Sequence, residues 1–284
     1  MTRLASPILR RFAVVAVAVL LALGAQALLT RDERGPGRTG TGNEEDDKWG
    51  SPRSNGGKGR KAGGAARLPA ALKRSCELPK RWLLAVYRGW DPAPVRAYDL
   101  AIVPHPPNYI GSVTDTSHSG PYDFLQDVPI VFYGPGLVSK KGRVTSSPNP
   151  TLADIAPTYA DLMDFSFASP DGRSLADLFR SDIDPPRLIV TAVIDGGGWN
   201  VLKRWRGRWP EMKDLMDKGV VVTNATVGSS PSITPATHTN LSTGAFPRTH
   251  GVSAIVVRTE SGRLTEAFTP VGKFSGAATM NPTV

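Results

Sequence analysis

The sequence predicts an α/β fold, with a sheet layered between helices, and three observations predict it. An apolar run at 188–194 (LIVTAVI) ends abruptly in Asp195 and three glycines. Helical spacing over 199–218 follows, then a second apolar run at 220–225 and a helix that opens at Thr234-Pro235. Upstream, the runs 98–103 (YDLAIV) and 128–133 (VPIVFY) precede a further helical stretch at 151–165. Short apolar runs bounded by Gly and Pro read as buried strands, and their alternation with helical segments indicates a layered α/β arrangement.

Residues 12–29 carry no charge and follow Arg3, Arg10 and Arg11. They reach the lower limit of a membrane-spanning helix. The triplet Ala25-Gln26-Ala27 also fits a signal-peptidase site. Segment 1–29 is therefore expected to be a hydrophobic helix, either a cleaved signal peptide or a transmembrane anchor. The arginines before it hold the N-terminus inside and send the remainder to an extracytoplasmic location, membrane-anchored or secreted. Residues 30–67 are rich in Gly, Arg, Asp, Glu, Ser and Asn with few apolar side chains, and read as a disordered linker.

Order is expected from residue 68, in two blocks. The block 68–182 holds a short helix at 81–88, the two upstream strands, the 151–165 helix with Pro157 as a kink or break, and a turn at 171–175 leading to a short helix. The block 183–284 starts with a linker to 186 and strand 188–194, then helix 199–218 with Gly219 as its C-cap, strand 220–225 and the Thr234 helix. A hairpin is expected from 254–258 and 263–268, and little pattern after 272.

Composition narrows the chemistry. Of 284 residues, 40% are hydrophobic, enough for a packed core. Cys76 is the sole cysteine, which excludes an intrachain disulfide and a cysteine-based zinc site. The net charge of +9 is concentrated towards the N-terminal third, which reads as a basic linker near an anionic membrane surface, with no nucleic-acid recognition.

A carboxylate ending a strand and a hydroxyl opening a helix are parts of a metallohydrolase site. Asp195 offers oxygen to a hard or borderline cation, and Thr234 sits where backbone N–H groups favour an anion. The motifs VIDGGG (193–198) and SITPATHTNLSTGAFPRTHGV (232–252) resemble the alkaline phosphatase superfamily, in particular its type I phosphodiesterase/nucleotide pyrophosphatase branch. The resemblance implies the α/β/α sheet of that superfamily, with Asp195 as a metal ligand and Thr234 as nucleophile and metal ligand. The stretch 115–138, with 151–163 and 169–175, resembles the segment that usually closes such a domain, and there His118 falls on a metal-ligand position. That block normally follows the nucleophile block, so the order here is circularly permuted.

The resemblance implies hydrolysis of a small phosphate ester, mono- or diester, with two divalent metal ions, zinc by family expectation, and a phospho-threonine intermediate at Thr234. Other readings stand beside each residue. Asp195 also suits a strand-end turn, Thr234 an N-cap, and His118 a solvated loop; His238 and His250 read as structural. The family also supplies an Asp-x-x-x-His pair and an Asp-His dipeptide, and neither occurs here. The chain is thus expected to be a C-terminally truncated member with weak or absent activity. Two alternatives remain: a non-catalytic, membrane-tethered binding remnant of the same fold, and a sulfatase-like hydrolase. The latter ranks lower because Ser230-Pro231-Ser232 lacks the arginine of the sulfatase motif and Cys76 is distant.

Overall fold

The computed structural model describes residues 13–17, 73–93, 98, 101–106, 108, 118–139, 141–182, 184–270 and 278–280. The 30–67 linker and the Ala25-Gln26-Ala27 triplet lie outside these residues. Met1–Gly24 and Pro79–Val284 form one compact unit, described next; a second, Ala25–Leu78, contributes only 73–78 to the description.

Five strands make the main sheet: β1 (Ala13–Val17), β2 (Ile130–Tyr133), β3 (Gly142–Val144), β4 (Ile189–Val193) and β5 (Val220–Val222). Their order is β3-β5-β2-β1-β4. β2 runs antiparallel to both β1 and β5, while β1 pairs parallel with β4 and β3 parallel with β5. The helices are α1 (Lys80–Gly89), α2 (Asp123–Gln126), α3 (Ile155–Leu162), α4 (Trp199–Arg204), α5 (Pro210–Lys218), α6 (Thr234–Thr243) and α7 (Pro247–His250).

The period-two alternation of a strand divides the core into two layers. Ile130, Phe132, Val220 and Val222 face one side, where they pack with Leu152, Ile155, Leu162 and Leu175 from α3 and its surroundings. Val131 and Val221 face the other, against Leu202 of α4 and Met212 and Met216 of α5. Helices therefore cover both faces, as the layered expectation required. Full burial of side chains such as Ile130 and Phe132 contributes about 1.5–3 kcal/mol each. At Gly219 an added Cβ would stand 2.3 Å from the Phe132 carbonyl, so only glycine lets α5 return this closely to β2.

Several local expectations change. Of the apolar segment expected as a helix over 12–29, the described residues 13–17 form β1; Ala-Val-Val-Ala-Val is rich in β-branched residues, and β1 takes hydrogen-bonded partners on both sides. Among the described residues no helix is long and apolar enough to cross a membrane. The expected buried strand at 98–103 is not formed by its described part: 101–103 are irregular and Ile102 is 69% exposed. The single helix expected over 199–218 is two: α4 stops at Arg204, Gly207 turns the chain with φ 82°, and Pro210 opens α5. Pro157 causes no kink, since α3 begins at Ile155 after a 3₁₀ turn (Leu152–Asp154), and proline fits a first turn. Strand 188–194 is a half-buried edge, not a buried core strand, with Leu188, Val190 and Ile194 exposed. The expected hairpin forms from β6 (Val256–Arg258) and β7 (Leu264–Glu266). A second pairing, β8 (Phe268–Pro270) with β9 (Ala278–Met280), falls where little pattern was read.

Candidate active site

Thr234 is the first residue of α6 and half-buried. Ile233 before it is extended and Pro235 occupies the first turn, where its missing N–H is no loss. At the other end Gly244 closes the helix with φ 66°, a conformation costly for other residues. α6 carries no apolar stripe. Thr237 and Thr239 are buried with their hydroxyls satisfied within the helix: Thr237 donates to the Ile233 carbonyl at 2.9 Å and Thr239 to that of Pro235 at 2.7 Å. His238 is half-buried, and its Nδ1 lies 3.0 Å from the Thr234 carbonyl, so it braces the turn that presents Thr234.

Asp195 follows β4 in a turn. Its Oδ1 is buried and has no hydrogen-bond partner among the described residues. Burial pushes the carboxyl up to about 6, because the anion has lost water and gained no donor in exchange. The glycine turn is anchored further on, where the Trp199 N–H donates to the Asp127 carbonyl at 3.3 Å.

His118 lies in the loop before α2, half-buried. Its carbonyl accepts a 2.9 Å hydrogen bond from Ser232 Oγ, two residues before Thr234. Gln126 strengthens the same junction. Its Nε2 donates to the Gly120 and Ser229 carbonyls at 2.8 and 3.1 Å, and its Oε1 accepts from the Gly228 N–H at 3.1 Å. The Ser230 N–H donates to the Ala85 carbonyl of α1 at 2.9 Å. The two sequence blocks thus meet at the loop that leads into Thr234.

A second brace lies behind α6. The Asn240 side-chain amide contacts Ser229 Oγ at 2.8 Å and His250 Nε2 at 2.9 Å, while His250 Nδ1 accepts the Val252 N–H at 3.0 Å. Burial pushes His250 down to about 4, opposed by the negative charge of Asp171 and Asp91. Asp171 accepts from the Phe246 N–H and the Thr249 hydroxyl at 2.8 and 2.7 Å, which ties α7 to the 171 turn. The sequence assigned no bracing role to Gln126, Ser232, Asn240 or Asp171; partners of Gln126, Ser232 and Asp171 lie 75 or more positions away, where no local pattern shows them.

The donor chemistry answers a metal only in part. Asp195 supplies an orphaned buried oxygen, yet no group of three or more His, Cys, Asp or Glu side chains gathers among the described residues. The structure joins the His118 and Thr234 loops, but these residues do not by themselves make a two-ion centre.

Residues 189–268 match the type I phosphodiesterase / nucleotide pyrophosphatase family. That family belongs to the alkaline phosphatase superfamily, is typically metal-dependent, and acts on small phosphate-ester or nucleotide substrates. The match takes in Asp195 and Thr234 and starts beyond His118. No curated protein and no solved structure matches the chain.

Proposed function

We propose that the chain is a metal-dependent hydrolase of phosphate esters in which Thr234 is the nucleophile. The observation that carries this reading is the family match over 189–268, within which Thr234 opens a ten-residue helix. The free N–H groups and dipole of the first turn of α6 favour a phosphoryl group placed against Thr234. In-line attack by the threonine oxygen would form an O–P bond, expel the ester alkoxide and leave a phospho-threonine for water to cleave. Asp195 and His118 are the proposed ligands of divalent metal, zinc first; a bound cation would supply the charge that Asp195 lacks, and metal in this family supplies Lewis-acid stabilisation of the oxygens at phosphorus. No step is assigned through the ions, because three donors do not gather among the described residues.

The test is hydrolysis of bis(p-nitrophenyl) phosphate and p-nitrophenyl phosphate by the full chain supplied with Zn²⁺. Thr234→Ala should abolish turnover and Thr234→Ser should keep part of it. Acid-quenched wild type should carry one phosphoryl group on Thr234, read by mass spectrometry. A folded wild type without turnover or adduct would sink the hydrolase reading and favour the binding remnant.

A further inference from the structure

A cavity of about 290 Å³ lies between α1, the 148–151 loop and the 126–128 and 226–228 segments. Asp195, Thr234 and His118 are not among its lining residues. One face of α1 forms a wall: Arg81, Leu84, Ala85 and Arg88 all line the cavity, at the spacing that puts residues on one side of a helix.

The charges along that wall are separated. At one end Arg81 is bound to Asp123 by a bidentate ion pair, and Asp123 also accepts from the Trp82 indole at 2.8 Å. Asp127 stands exposed beside this neutralised pair, and its carboxylate has no side-chain partner among the described residues. Asp127 is answered at this end only through space, by the charges of Arg81 and Lys203. At the other end Arg88 is half-buried and stacked on the Phe246 ring, its guanidinium 4.5 Å from the centroid. Among the described residues Arg88 forms no ion pair; Asp154 and Asp171 act on it only through space. A half-buried guanidinium with unused donors is costly unless an acceptor reaches it. The positions of Arg81 and Arg88 are seven residues, about 10 Å, apart along the helix. Leu84, Ala85, Pro121 and Pro148 line the cavity as well.

We infer that this cavity binds a short zwitterion, with an oxyanion against Arg88, an ammonium group against Asp127 and a short apolar chain between them. Asn149 and Thr151 also line the cavity. Inorganic phosphate would leave Asp127 unanswered, and an uncharged apolar ligand would leave both charges so. The inference stands apart from the hydrolase reading, since it concerns binding and uses none of the proposed site residues.

The experiment is isothermal titration of the full chain with β-alanine, γ-aminobutyrate and aminoethylphosphonate, alongside butyrate and butylamine as single-charge controls. One of the three zwitterions should bind at one site per chain, at least about tenfold more tightly than either control. The comparison of carboxylate with phosphonate identifies the oxyanion. Asp127→Asn and Arg88→Gln should each weaken binding by about tenfold or more. Asp127 is exposed, so Asp127→Asn keeps the test valid if Arg88→Gln unfolds the chain. Absence of binding by all three zwitterions, equal binding of butyrate, or unchanged affinity in a folded Asp127→Asn would overturn the proposal. None of these results bears on turnover at Thr234.

Discussion

Ser232 donates its hydroxyl to the His118 carbonyl at 2.9 Å and so ties together two loops 114 residues apart in the chain. Ser232 is only 1% exposed. Ser232→Ala would leave a polar atom of the junction short of its partner, and should cost about 1–2 kcal/mol. Urea unfolding measures it; an unchanged midpoint would mean that the bond contributes nothing.

Gln126 has the larger effect at the same junction. Gln126→Leu keeps the volume but strands two carbonyls and one N–H in a buried place. A loss of about 3 kcal/mol is expected. The same substitution at an exposed position would be nearly silent, so a shift below that of Ser232→Ala would contradict the network described above.

Asp195 and His250 give stability opposite dependence on pH. The Asp195 carboxyl is raised from 3.8 to about 6, so its contribution is present below 3.8 and lost as pH rises through 6. His250 is lowered from 6.5 to about 4, so its contribution is present above 6.5 and lost as pH falls through 4. The two slopes oppose each other between pH 4 and 6. Asp195→Asn should therefore steepen the acid loss of stability, and His250→Gln should flatten or reverse it. Melting temperatures from pH 4 to 7 read both, and parallel curves for the three proteins would refute the assignment.

Zinc addresses the proposed ligand role of Asp195. Ions that bind only the folded chain raise its melting temperature. Zn²⁺ should stabilise wild type and stabilise Asp195→Asn much less. Equal shifts in both would place the ion elsewhere.

Deletion of residues 1–24 distinguishes a leader from a strand. β1 pairs with β2 on one side and β4 on the other, so its removal opens the sheet. The shortened chain should lose cooperative unfolding or most of its stability. A shortened chain as stable as the full one would return the segment to the leader reading.

What the sequence alone determined was local. Asp195 after an apolar run and Thr234 before Pro235 were legible because strand ends and helix starts are written in adjacent residues. The α/β class followed from the same alternation, and the family match over 189–268 agrees with it. The tertiary structure decided what depends on partners far away. Ala13–Val17 reads in the sequence as part of an apolar helix, and pairing with the neighbours β2 and β4 makes it a strand. Ile102 reads as core, yet its surroundings leave it exposed. Gln126 and Ser232 are ordinary polar residues until folding buries them against backbone groups more than a hundred positions away. Burial sets the cost of a polar group and its hydrogen-bond partner removes it, and neither is a property of the local sequence.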